Sequence, residues 1–303
     1  MSPNVPASVK ARLLNGARAR NEEFQRTLVR YATERLLYRI GASHVRERFV
    51  LKGAGLLVVW LRDPHRATRD VDVLAFGASD EAAVRALVAE ICAVSCAEDG
   101  LSFDAGRATV EDIRGCDEYV GKRIRLVAIL GTARIPLQID IGFGDALALP
   151  AEETVYPVLL DNLPAPRVLA YPREASIAEK FHAMVLLDVK NSRMKDFHDI
   201  WAFAGAFAFD GAKLRSTIAA CFERRRTPWM TDAPRALTPG FYQLPELADR
   251  WQHYLRAGTI LVLPPAQFDV IGEQIISFLG PVRESLAAGE AFSWNWPSKG
   301  PWR

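Results

Sequence analysis

The sequence predicts a mixed α/β (α+β) chain: a small mixed sheet flanked by helices, followed by a mainly helical C-terminal domain. Three observations lead there. Thr68-Arg69-Asp70-Val71-Asp72-Val73-Leu74 alternates with period two, as a half-buried strand does. Residues 122–131 and 134–143 are two strand-like runs joined by the tight turn Gly131-Thr132-Ala133, which reads as a hairpin. Beyond residue 173 the apolar residues recur at helical spacing.

In chain order, residues 8–41 read as one helix. Phe24, Leu28, Ala32 and Leu36, joined by Val29, Leu37 and Ile40, form its apolar stripe, and Gly41-Ala42-Ser43 stops it. Phe49-Val50-Leu51 is a short apolar run ending at Lys52-Gly53-Ala54-Gly55, followed by a helix-like block from Leu56 to Leu61. Residues 80–96 carry Val84, Leu87, Val88, Ile91 and Val94 on one helical face. Pro136 places the start of the second hairpin strand at an edge or bulge. Prolines at 150, 157, 164, 166 and 172 mark a loop-rich linker. Helices are then expected over 173–187, 194–206, 210–225, 245–257 and 264–288, with the tryptophan-rich tail packed or frayed. The expected divisions are 1–45, an N-terminal helical segment; 46–150, the α/β core; 151–172, the linker; and 173–303, the helical domain.

Composition narrows the partners. The chain has 303 residues, half of them hydrophobic and 24% charged, with a net charge of +2. That balance excludes a basic nucleic-acid coat and a disordered acidic tail. The neutrality is uneven, because residues 1–50 hold ten Lys/Arg against four Asp/Glu. An exposed basic face there would be either simply solvated or a contact for RNA or a partner. Cys92, Cys96, Cys116 and Cys221 form neither a disulfide framework nor a zinc spacing, and Cys92 and Cys96 read as small core residues. No signal-peptide pattern opens the chain and no membrane-length apolar run interrupts it, so a soluble cytoplasmic protein is expected. The five histidines show no metal spacing.

Two constellations carry chemistry on the strands. Residues two apart on a strand share a face, so Asp70 and Asp72 present paired carboxylates while Val71 and Val73 turn to the core. Such a pair repels itself unless a cation intervenes, and Mg²⁺ suits one or two carboxylates plus phosphate oxygens and water. The glycine turn at Lys52-Gly53-Ala54-Gly55 would free backbone N–H groups for phosphate. The plain alternative makes Asp70 a strand-edge charge paired with Arg69 or Arg66. Asp140 lies opposite a core face of Ile135, Leu137, Ile139 and Ile141, and three carboxylates converge if its strand neighbours that of Asp70 and Asp72.

A third constellation lies past the linker. Lys180 sits in an apolar helix among Ile177, Phe181, Met184 and Val185, either as a functional cation or as a surface lysine. Asp196 and Asp199, three apart, share a helix face. Their alternative is ordinary charge compensation at a helix N-terminus.

Taken together, these residues resemble the motifs of nucleotidyltransferase-like toxins of the AbiEii/AbiGii type, found in toxin–antitoxin and phage-abortive-infection modules. Lys52-Gly53-Ala54-Gly55 with Thr68-Arg69-Asp70-Val71-Asp72 is similar to the first motif. Thr132, Arg134 and Asp140-Ile141 fit the second. Tyr171-Pro172-Arg173-Glu174 with Ile177-Ala178-Glu179-Lys180, and Arg193-Met194-Lys195-Asp196-Phe197-His198-Asp199, are similar to the third and fourth. The likeness covers roughly residues 20–205. Ala54 departs from it, since serine or glycine is usual there and any hydroxyl contact to phosphate is lost.

The resemblance implies a nucleotidyltransferase-like core and an enzyme that transfers nucleotides from a nucleoside triphosphate. It assigns Asp70, Asp72, Lys180 and Asp196 to catalysis, and Lys52, Gly53, Ala54, Lys180 and Asp199 to nucleotide binding. Asp70, Asp72 and Asp140 would hold Mg²⁺, with Mn²⁺ as the alternative ion. Lys180 would meet the triphosphate; Asp196 would orient that lysine or assist the metal site, with Asp199 behind it. The implied acceptor is RNA, the 3′ end of tRNA first, with growth inhibited and a cognate antitoxin as partner. Transfer to a small molecule and an idle nucleotide-binding module stand as alternatives. Alanine at Asp72 or Lys180 is expected to abolish transfer and leave the fold intact.

Overall fold

A computed structural model describes residues 4–61, 70–113, 121–143, 147, 149–229, 232–258 and 260–303. Thr68, Arg69, Arg66 and Cys116 lie outside the described residues. The chain divides into two units, residues 1–146 with 151–171, and residues 147–150 with 172–303.

The N-terminal unit begins with α1 (Val5–Ala19) and α2 (Phe24–Ala42). The single helix expected over 8–41 is therefore two. Asn21 takes a positive φ of 51°, and the polar run Arg20-Asn21-Glu22-Glu23 separates them. Next come β1 (Phe49–Lys52), α3 (Gly55–Trp60), β2 (Asp70–Ala75) and α4 (Glu81–Ala93), the last capped by the Asp80 carboxylate accepting from the Ala83 N–H. Then follow β3 (Leu101–Phe103), β4 (Thr109–Ile113), β5 (Gly121–Leu130), β6 (Ala133–Phe143), β7 (Glu152–Val155) and β8 (Arg167–Ala170).

Among the described residues these strands form one mixed sheet in the order β3-β5-β6-β2-β1-β8-β7, with β4 pairing the other half of β5. β5 and β6 are the expected hairpin. Pro136 sits where β6 pairs β5 alone, because pairing to β2 starts at Gln138; a residue without an N–H is harmless there. The proline-rich stretch read as loop carries β7 and β8, an antiparallel pair completing one side of the sheet. Its prolines fall outside the two strands, so their breaker signal concealed the short β segments between them.

One face of the sheet is apolar. Val71, Val73, Ile135, Leu137, Ile139 and Ile141 are all buried, as the alternation requires. Gly41 of α2 has a packing reason, since a Cβ there would run into the Arg167 carbonyl of β8. The basic side of α2 is only partly solvated. Arg39 donates to the Asp99 carboxylate (2.7 Å) and to the Leu101 carbonyl (3.1 Å), and both Arg39 and Asp99 are buried. Buried Arg35 donates to the Pro164 carbonyl, and buried Glu34 accepts from the Leu159 N–H at 2.7 Å. Burial pushes the Glu34 carboxyl up to about 7, against the opposing pull of that N–H and of Arg35.

The C-terminal unit is helical: α5 (Arg173–Leu187), α6 (Met194–Ala206), β9 (Phe209–Asp210), α7 (Gly211–Arg224), α8 (Pro239–Tyr242), α9 (Pro245–Leu255), α10 (Phe268–Ala288) and β10 (Asn295–Trp296). The two helices expected over 173–187 and 194–206 appear with those bounds. Aromatic contacts fill this core, with Phe197 touching Phe241, Tyr242 and Phe268. The tail is packed: Trp296 and Trp302 are buried and donate to the Ala204 and Phe278 carbonyls. No described helix is long and apolar enough to cross a membrane.

Candidate active site

The sheet register aligns the strand-borne charges. Lys52 of β1 pairs with Asp72 of β2, Asp72 with Asp140 of β6, and Asp140 with Arg123 of β5. Residues in register point to the same face. Lys52, Asp72, Asp140 and Arg123 therefore form one row, opposite to the apolar face. The next row on that face is Asp70, Gln138 and Arg125. Asp70 and Asp72 are half-buried, exposed enough to meet a ligand.

Gly53 fits this arrangement closely. Its φ of +67° is one that only glycine adopts without penalty. A Cβ built there would collide with the Asp72 carboxylate. The turn leaving β1 thus lies directly against Asp72, and α3 begins two residues later. Ala54 is buried, so the residue that departs from the usual motif has its methyl group inside the fold.

Asp140 does reach the row of Asp72, and its two oxygens are engaged. Arg123 donates from Nε to Oδ1 at 2.9 Å and from Nη2 to Oδ2 at 2.7 Å, a bidentate pair, with Gln138 at 3.5 Å. Hydrogen bonding to Asp140 raises the Arg123 pKa above its ordinary value; burial opposes this, and the charges of Asp140, Asp70 and Glu111 add to it. Arg123 was absent from the residues singled out in the sequence. An arginine at a solvent-side position of an alternating strand carries no local signal, and only the register reveals its partner.

The donor chemistry suits a divalent ion at two of the three acids. Asp70 and Asp72 put hard carboxylate oxygens on one partly exposed face, the donor type that a divalent ion such as Mg²⁺ prefers. Among the described residues no group of three or more His, Cys, Asp or Glu side chains is arranged to hold an ion.

The C-terminal unit carries the second cluster. Lys180 Nζ lies 2.8 Å from Asp199 Oδ2 and 3.3 Å from Asp196 Oδ1. Lys180 is 9% exposed, Asp196 0% and Asp199 1%, which excludes the surface-lysine reading. Arg193 completes the group, its Nε 2.6 Å from Asp196 Oδ2. The turn before α6 holds Arg193: the buried Asn191 side chain accepts the Arg193 N–H, and Arg250 donates to the Val189 and Asn191 carbonyls. Burial pushes the Asp196 carboxyl up, but Lys180 and Arg193 outweigh it and hold the pKa below the ordinary value. Asp196 does occupy the first turn of its helix, as charge compensation would have it, yet it also binds two cationic side chains. Neighbouring His198 is a core histidine bonded to the Tyr254 hydroxyl at 2.9 Å.

The basic tracts are less open than their composition suggests. Arg20 and Arg30 lie on Glu22, Arg46 on Glu153, and Arg225 is 3.9 Å from Glu179. Arg18, Arg20 and Arg30 remain at the surface.

A family model described as the nucleotidyl transferase AbiEii toxin of a type IV toxin–antitoxin system matches residues 35–273. The chain belongs to the AbiEii family. The match spans Lys52, Asp70, Asp72, Asp140, Lys180, Asp196 and Asp199, and it runs past residue 205 into α10, so the helices after α6 belong to the family body as well. As an AbiEii member the chain is a nucleotidyltransferase toxin, and membership implies a nucleoside triphosphate substrate and an antitoxin partner. Two crystal structures of Helicobacter pylori proteins are similar. JHP933 is 13% identical with a TM-score of 0.47, covering 87% of this chain and 97% of its own. The other, described as a nucleotidyltransferase, is 11% identical with a TM-score of 0.49, covering 88% and 99%. No curated protein matches the chain.

Proposed function

We propose that this AbiEii member is a metal-dependent nucleotidyltransferase. It would transfer nucleotides from a nucleoside triphosphate to RNA, the 3′ end of tRNA first, and so stop translation and growth until an antitoxin intervenes. The observation that carries this reading is the polar face of the sheet, where Asp70 and Asp72 stand in adjacent rows and Asp72 lies against the Gly53 turn.

In this reading Asp70 and Asp72 would hold Mg²⁺ or Mn²⁺, which when bound screens the phosphates and activates the attacking hydroxyl. The chain's own groups do the rest. Gly53 lets the backbone approach the Asp72 carboxylate, and the N–H groups of that turn would be available to a phosphate. Lys52, in register with Asp72, adds a positive charge where the triphosphate arrives. Lys180, its ammonium set by Asp196 and Asp199, would be a nucleotide-binding cation as the family likeness implies, and Arg193 would keep Asp196 ionised. The surface arginines of the first two helices would contact the acceptor's phosphates.

The test is to incubate the purified chain with total RNA, Mg²⁺ and each α-labelled nucleoside triphosphate in turn. Label in a tRNA-sized band supports the proposal. Label found only in small molecules would transfer the assignment to a small-molecule acceptor, and no label with any nucleotide would overturn it. Expression without an antitoxin should arrest growth, and unaffected growth would count against the toxin role in this chain.

A further inference from the structure

The pairing of Asp140 with Arg123 bears on how many ions the carboxylate face can take. Three carboxylates in neighbouring positions invite two divalent ions, with the third acid bridging or flanking them. Here the third acid has both oxygens on a guanidinium that is always protonated and planar, matched to the carboxylate edge. The pair is partly sheltered, with side-chain exposures of 35% for Arg123 and 20% for Asp140. An ion taking Asp140 would have to expel a bidentate partner and leave that arginine beside a new positive charge. Glu111, opposite Arg123 on β4, is hydrogen-bonded to Arg125 at 2.6 Å and acts on Arg123 only through its charge.

We propose that Arg123 stands in the place of a second cation, so that the face binds a single divalent ion through Asp70 and Asp72, with Asp140 neutralised from within. Arg123 is then a positioning residue. It acts through Asp140 and supplies, as a fixed part of the fold, the positive charge that a second ion would bring. The inference rests on the reading of Asp70 and Asp72 as metal ligands, and it adds the stoichiometry and a role for a residue outside the family motifs quoted above.

The experiment is a Mn²⁺ titration of the full chain followed by electron paramagnetic resonance, with no nucleotide present. The wild type should saturate with one ion per chain. Asp140→Asn should still saturate with one ion, held more weakly because Arg123 loses its counter-charge. Asp140→Asn combined with Arg123→Gln should return to within about threefold of the wild-type affinity, whereas loss of a group that holds the ion costs about tenfold or more. Arg123→Gln, which frees the Asp140 carboxylate, should gain a second ion; Arg123→Lys, checked for native circular dichroism, should stay at one. Two ions on the wild type, or a loss of about tenfold that persists when Asp140→Asn is combined with Arg123→Gln, would overturn the inference and leave the carboxylate face standing as the metal site. Undiminished binding in Asp72→Asn, or no binding by the wild type, would overturn that reading and the inference with it.

Discussion

On β2 the carboxylates of Asp70 and Asp72 leave the sheet half-buried, in rows that also carry Lys52 and Arg123. In the C-terminal unit Asp196 and Asp199 point into a helical core and share one ammonium from Lys180. Each cluster sets two aspartates among basic residues, and solvent separates their behaviour. The strand pair keeps access to water and to whatever water carries, so its charge can be offset by a ligand that comes and goes. The helical pair has no such access and depends on cations built into the chain. Half-buried acids that face solvent can be lost with less harm to folding than buried ones, which cannot lose their partner cheaply.

The sharpest way to break this comparison is Lys180→Met. Removing the ammonium takes the 2.8 Å cation from Asp199 and leaves Asp196 with Arg193, and should destabilise the chain by about 3–5 kcal/mol. Urea denaturation measures this, and a change under about 1 kcal/mol would mean the cluster is better solvated than its burial implies. By the same argument alanine at 180 should cost stability as well as transfer, against the expectation that it leaves the fold intact. Asp72→Asn should do the opposite. Transfer of labelled nucleotide should drop at least about a hundredfold, some 2.7 kcal/mol of barrier, while the urea midpoint stays within that of a surface change. Gly53→Ala falls between these extremes. The strained φ costs about 1–2 kcal/mol, and the added methyl group displaces the Asp72 carboxylate, so activity and stability should fall together.

Proton uptake provides the gentlest probe, and its sign differs between the units. Asp196 has a folded pKa below its unfolded value, so its contribution is present above about pH 4 and is lost as pH falls further. Glu34 is raised to about 7, so the folded state holds an extra proton from about pH 4.5 upward. Its contribution therefore fades as pH rises through that interval to 7. Stability curves of Glu34→Gln and Asp196→Asn should each lose one of these slopes. A variant that keeps its slope would place the titrating group elsewhere.

How much of this was legible in the sequence depended on whether a residue's partner was local. The stripes of α5 and α6 gave their bounds, because every contact that defines them repeats at helical spacing. Asp70 and Asp72 share a face by strand geometry alone, and Asp196 and Asp199 by helix geometry. Lys180 between those last two was ambiguous until its burial was known. The break at Asn21 leaves no mark on the pattern, because the apolar stripe continues on both sides of it. Arg123 escaped because its partner is 17 residues away across a hairpin, and Arg35 and Arg39 because a buried arginine and a solvated one share the same spacing. β7 and β8 are too short to outvote the prolines around them.

Gly41 shows how far a silent position can reach. It lies in the last turn of α2, where alanine would be the stronger helix former by up to about 1 kcal/mol, so glycine there is kept at a local loss. Its bare Cα lets α2 rest on the backbone of β8, and β8 in turn hydrogen-bonds β1, which ends at Lys52 beside the Gly53 turn. A methyl group at 41 would lift the helix from the strand and pass the displacement through two backbones to the carboxylate row. Variation at a position with no charge, no donor and no contact with substrate would then be read out as lost catalysis, and a survey confined to polar residues would never find its source.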